Sequence, residues 1–268
     1  MKKLFYLVCT LTLIVSCKNP NNKDNPKTNE VVKDSVVEVE TPKYPEHLVK
    51  IFDAHGGLDT WNTMRTLEFS MQKPDGYEIT TTDLKERYSL VEMPKHTIGF
   101  DGESVWMKSS KGAKYEGNPK FYYNLMFYFY AMPFVLADDG IHYSEAQPLT
   151  FEGKTYPGIQ ISYNSGVGAS SDDEYVLYYD ADTHQMAWLA YTVTYFTKEK
   201  SKEWHYINYN KWQQVEGLLL PETITWYNVE NNVPTTAKND VTFSHISLTT
   251  DKMDLRMYMM PEGAEEIQ

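Results

Sequence analysis

Cysteine is nearly absent: the 268 residues hold two, Cys9 and Cys17, both within the first seventeen. The remainder therefore has neither a disulfide framework nor a cysteine metal cluster, and its core must hold it together. Positive charge is short as well. Against 37 acidic residues stand 25 basic ones, a net charge of −12, which disfavours sequence-independent binding to phosphate backbones. The seven histidines (His47, His55, His96, His142, His184, His205 and His245) show no His-x3-His pattern and no glutamate-paired zinc spacing. There is no Gly-x-Ser-x-Gly elbow and no phosphate loop, and Gly166-Val167-Gly168 lacks the strand-to-helix context of a dinucleotide fingerprint. Asp138-Asp139 and Asp172-Asp173-Glu174 have the chemistry to hold Ca²⁺, but in so acidic a chain they read first as solvated loop acids. A carboxylate pair for glycoside hydrolysis, its members far apart in sequence, stays open. The expectation is of a protein that is not an enzyme and has no cofactor, metal or nucleic-acid partner.

Long apolar runs are lacking too. Leu4 to Val15, preceded by Lys2 and Lys3, has the length of a signal peptide and is too short to span a bilayer comfortably. Ile14-Val15-Ser16-Cys17 resembles the lipobox of bacterial lipoproteins. That resemblance implies cleavage before Cys17, which then carries the lipid, with Cys9 discarded in the leader. An ordinary secretory signal with an incidental cysteine is the alternative. Residues 18–43 are polar and contain no aromatic, which reads as a disordered tether reaching on the order of 30 Å. Lys18 stands where some bacteria place the Asp that retains a lipoprotein in the inner membrane, so the outer membrane, facing the periplasm, is expected. The folded domain is expected over 44–268.

What the chain does have is aromatic residues: 21 Tyr, 11 Phe and 6 Trp favour strands. Leu48, Ile51, Phe52 and His55 recur at helical spacing from Tyr44, and Gly56-Gly57 stops that helix. Asp59 is expected to cap a short turn carrying Trp61 and Met64. His55 reads as structural, its charged form suiting the helix C-terminus. From Thr66 the period becomes two, and turn signals at Asp101-Gly102, Glu152-Gly153, Asp180 to Thr183 and Glu216-Gly217 separate about 10–11 strands in meander order. Gln185 to Phe196 should be one long strand, with Met186 and Trp188 on one face and Leu189, Tyr191, Val193 and Tyr195 on the other. Trp204, Tyr206 and Trp212 should share a face of the next.

One stretch interrupts the strands. Asn118 can cap a helix with Pro119 at its first position, Pro133 kinks or ends it, and Gly140 closes it. Eight of the fourteen residues from Phe121 to Phe134 are Phe or Tyr, and only Asn124 is otherwise polar, so the helix has no face for water. It is a lid or cavity lining, plain core, or a protein contact surface.

The lipobox, the N-terminal helix, the meander and this apolar insertion together resemble the periplasmic lipoprotein-carrier superfamily of LolA and LolB. His55-Gly56-Gly57-Leu58-Asp59-Thr60-Trp61, Tyr178-Tyr179-Asp180 to Thr183, the Phe-rich 121–134 and Met259-Met260-Pro261-Glu262-Gly263-Ala264 carry the likeness. The resemblance implies a mainly β fold with helices (α+β), a half-open antiparallel β-barrel closed by a helical lid. It also implies a lipid-anchored envelope protein that binds a hydrophobic small molecule or acyl chain. The basic residue that the soluble carrier is thought to use within its cavity has no identifiable counterpart. Candidate lining residues are Phe121, Leu125, Met126, Phe129 and Phe134 from the insertion, with Trp106, Trp188, Tyr191 and Trp204 from the sheet. A regulatory or scaffold lipoprotein contacting an envelope protein is the rival, and an envelope hydrolase the third.

Overall fold

In a computed structural model, residues 43–164, 172–197 and 199–268 are described. The expected signal peptide, Cys17, nearly all of the expected tether and Gly166 to Gly168 lie outside them. Two helices, α1 (Glu46–Ala54) and α2 (Leu58–Thr63), open the domain. Leu48, Ile51 and Phe52 are buried, as the helical spacing requires. Gly57, not Asp59, caps α2, because its φ of 87° turns the chain between the helices. Gly56 is needed for a different reason: a Cβ there would sit 2.4 Å from the Gly217 carbonyl oxygen.

Strands follow: β1 (Thr66–Lys73), β2 (Gly76–Asp83), β3 (Ser89–Glu92), β4 (His96–Phe100) and β5 (Val105–Ser109). After the apolar insertion come β6 (Ile141–Phe151), β7 (Lys154–Tyr163), β8 (Tyr175–Tyr179) and β9 (Met186–Tyr191). The last are β10 (His205–Val215), β11 (Leu218–Glu230), β12 (Val233–Thr249) and β13 (Glu265–Glu266). All pair antiparallel in one open sheet of order β13-β5-β4-β3-β2-β1-β12-β11-β10-β9-β8-β7-β6. The architecture is the expected antiparallel one, with thirteen strands among the described residues rather than ten or eleven. The chain steps outward from β1 to one edge, crosses to the far edge at β6, and steps back until β12 lies beside β1.

The sheet is strongly curved. Thr82 of β2 and Ile141 of β6 line one cavity, although eight strand spacings, roughly 38 Å, would separate them in a flat sheet. Register shifts in the β1–β12, β6–β7, β8–β9 and β10–β11 pairs supply bends of the kind bulges impose. One apolar cluster on the inner face joins Leu67 and Phe69 to Ile161, Leu177, Leu189, Ile207, Leu220 and Phe243.

Bulges also correct two expectations. Tyr178 pairs with Trp188 but Tyr179 with Met186, so Met186 and Trp188 fall on opposite faces, Met186 in the inner cluster and Trp188 in an outer one. Shifts between Asn208 and Trp212 likewise part Trp212, packed inward, from Trp204 and Tyr206, packed outward. β9 ends at Tyr191 rather than Phe196. Leu255 to Met257 form a 3-10 turn, and Tyr258 beyond it covers the outer face of β3 to β5 by accepting the Trp106 indole N–H on its carbonyl at 2.8 Å. Gly99 permits that packing, since any Cβ would lie 2.1 Å from the Trp106 ring.

Candidate functional site

The apolar insertion lies on the inner face, and it is not one helix. Asn118 caps α3 (Pro119–Tyr122) as expected, its Oδ1 accepting from the Phe121 N–H at 3.1 Å. The chain breaks at Tyr123 and Asn124, resumes as α4 (Leu125–Tyr130), breaks again, and ends in a 3-10 turn (Phe134–Ala137). Pieces this short leave most of their terminal carbonyls without an intrahelical partner. Side chains of the surrounding structure take them up. Ser89 donates to the Tyr123 carbonyl at 2.8 Å, Tyr209 to Phe129 at 2.9 Å, Tyr44 to Ala137 at 3.0 Å, and Tyr143 to Leu136.

Packing does the rest. Tyr130, Ala131, Met132, Val135 and Leu136 are entirely buried. Tyr130 lies between Phe69 and Phe243, with ring centroids 4.6 and 4.5 Å away. Phe129 meets Tyr191 at 5.2 Å and Trp226 at 5.7 Å, and Phe134 stacks on Trp61 at 4.9 Å. Of the sequence candidates, Leu125, Met126, Phe129, Phe134 and Tyr191 join this inner cluster. Phe121 sits at its margin against Tyr195 and Phe196, the latter 63% exposed. Trp106, Trp188 and Trp204 are not among them: alternation puts Trp106 and Trp188 in outer-face clusters, and Trp204, just before β10, packs in the same cluster as Trp188.

The insertion ends in charge. Nη2 of Arg87 reaches both carboxylate oxygens of Asp138, at 2.6 and 2.7 Å, and Lys43 reaches Asp139 at 3.3 Å. Arg87 also lies over the Phe127 ring at 5.1 Å. Burial raises the Asp138 carboxyl above its usual range, and Arg87 offsets part of that rise. Arg87 and the two aspartates separate two cavities. One, of about 250 Å³, is walled by Thr82, Ser89, Phe127, Val135, Ile141 and Tyr163; the other, about 380 Å³, by Tyr44, Trp61, Asn62 and Phe134. Sequence reasoning missed Arg87 and the carbonyl-binding hydroxyls. Arg87 occupies a turn with φ of 61°, and nothing local marks such a residue as a partner of Asp138.

The acidic pairs have partners of their own. Asp138 and Asp139 are held by Arg87 and Lys43, and Asp173 accepts from the Thr194 N–H and hydroxyl at 2.6 and 2.7 Å. Among the described residues no group of three or more His, Cys, Asp or Glu is placed to bind a metal, and no helix is long and apolar enough to cross a membrane.

No family model and no curated protein matches this sequence. Among solved structures, the chain is similar to a LolA superfamily protein from Nitrosomonas europaea, at 10% identity and a TM-score of 0.48 over 80% of this chain and 96% of that one. It is also similar to a DUF1329 family protein from Desulfovibrio piger, at 12% identity and a TM-score of 0.44 over 75% and 93%. The lipoprotein LppX of Mycobacterium tuberculosis matches at 11% identity and a TM-score of 0.25, over 54% of this chain and 86% of that one. At such values the likeness carries no functional argument, which must come from the site.

Proposed function

We propose that this protein is a lipid-anchored, non-catalytic carrier of the bacterial envelope, held through Cys17 at the periplasmic side of the outer membrane. It takes a lipid or acyl chain beneath the 118–140 insertion, which acts as a displaceable lid. The observation that carries this reading is the way the insertion is held. It is rich in apolar and aromatic side chains, laid in short pieces along the inner face of an open sheet, and tied to its surroundings by hydroxyl–carbonyl bonds, side-chain bonds from Tyr122 to Glu78 and between Tyr128 and Tyr163, and two ion pairs. A ligand chain replaces the contacts given up when the lid lifts, at about 0.8 kcal/mol per buried CH₂. Leu125, Met126, Phe129, Phe134 and Tyr191 line the space so exposed, with Phe121 at its entrance.

Native mass spectrometry of the full chain, purified from a bacterial host, tests the reading. The expected result is a co-purifying mass released by organic solvent. A clean ligand-free mass that also takes up no added fatty acid overturns it. That result would favour a scaffold lipoprotein whose insertion is permanent core, a reading supported by the complete burial of Tyr130 to Met132.

A further inference from the structure

Beneath the insertion the inner face is not uniformly apolar. Thr80 and Thr82 of β2 stand beside Phe69 and Leu67, their register partners on β1. Each threonine is 2% exposed, and neither Oγ1 has a hydrogen-bond partner among the described residues. Tyr130, whose ring packs on Phe69, has an unpaired buried hydroxyl as well. Buried hydroxyls are ordinarily satisfied, so a group of open ones marks a place for an acceptor from outside the chain. Thr82 also forms part of the wall of the 250 Å³ cavity, and Arg87 stands in the same wall. The guanidinium engages Asp138 through Nη2 alone, whereas its planar fork suits a phosphate or carboxylate through two nitrogens. Phe127, Val135 and Ile141 give the wall an apolar flank, while Ser89, Asn124 and the Asp138 and Asp139 carboxylates make the part around Arg87 polar. A cationic fork, an open hydroxyl and an apolar flank in one cavity describe the junction of an acidic head with an acyl chain.

We propose that this cavity binds the head of an anionic amphiphile, a phosphate ester of an acylated glycerol. The phosphate replaces the Asp138 carboxylate on Arg87, and the Thr82 hydroxyl donates to an ester oxygen of the ligand. This rests on the lid reading and adds the class of lipid. Loading and unlatching become one exchange, because the group that binds the head is the group that holds the insertion.

Three soluble probes and the full chain test it: dihexanoylphosphatidylglycerol, dihexanoylglycerol and glycerol phosphate, each titrated by calorimetry. Wild type should bind the anionic lipid about tenfold more tightly than the neutral one, the gain expected of one charge-assisted contact. Glycerol phosphate at the same concentration should not compete. Arg87→Gln should reduce that preference, Thr82→Val should weaken both lipids about equally, and Asp138→Asn, which frees Arg87, should increase the preference. Loss of a merely structural contact would move Arg87→Gln and Asp138→Asn in the same direction. Equal affinity for the two lipids, or equal competition by glycerol phosphate, overturns the assignment while leaving the lid reading intact. Binding of neither lipid overturns both.

Discussion

His55 shows how far a single residue can depart from its expected charge state. It caps the C-terminus of α1 but is completely buried, its Nδ1 2.8 Å from the Ile51 carbonyl and its ring edge-on to Trp212 at 4.6 Å. Burial lowers its pKa to about 4, against a usual 6.5, so the imidazole is neutral and the expected interaction of a charged ring with the helix end does not occur. The sign of the stability effect follows. Below pH 6.5 the unfolded chain takes up a proton that the folded chain refuses, so folding weakens as pH falls toward about 4 and the effect then levels off. The loss is roughly 1.4 kcal/mol per pH unit, about 3 kcal/mol in all. Urea midpoints measured between pH 6.5 and 5 should show that slope in wild type and lose it in His55→Gln. An unchanged slope in the variant would refute the assignment. Residue type was readable here and environment was not: one histidine near a glycine pair gives no sign that Trp212 and the β10–β11 turn will enclose it.

At the scale of the element, the insertion was legible in composition and opaque in form. Its aromatic content and the Asn118-Pro119 start predict a buried helical segment, and the structure contains one. The break before Phe134 is the one Pro133 predicts. The break at Tyr123–Asn124 was not readable, because it depends on a hydroxyl far away in sequence, that of Ser89, which donates to the orphaned Tyr123 carbonyl. The sheet assignments failed for a related reason. Alternation predicts faces only while register is continuous, and a bulge of one residue reverses every later side chain. That mechanism puts Met186 and Trp212 on the inner face, whereas Trp106 and Trp188 point outward by plain alternation, which their aromatic type alone does not reveal. Tyr209→Phe tests whether the carbonyl contacts matter. Leaving the buried Phe129 carbonyl unpaired should cost about 1–3 kcal/mol of unfolding free energy. It should also speed hydrogen exchange across 125–131 more than in β10. Uniform exchange changes would mean that the insertion is no less stable than the sheet.

For the whole molecule, the meander order was legible from the regular spacing of turn signals, but the central seam was not. β1 pairs with β12, with Thr66 opposite Thr249, so strands from nearly opposite ends of the domain meet in the middle of the sheet. No local pattern specifies a pairing of that separation. Such contacts must overcome chain entropy before they contribute, which places folding in the millisecond-to-second range typical of non-local β proteins. Pulse-labelled exchange during refolding should protect the β10–β11 hairpin before the β1–β12 seam. Simultaneous protection of the two would contradict that order.

The crossing from β5 to β6 has one more consequence. Ser109 ends a strand near one margin of the sheet and Ile141 begins the strand at the other margin, so the segment between them is fastened at both ends. A cover hinged on one side swings clear; a strap fixed at two points can only bow. On the proposed carrier reading, entry is a lateral slide under the bowed strap rather than a drop through an open door. On that reading, whatever is attached to the far end of the bound chain remains outside while the chain goes in.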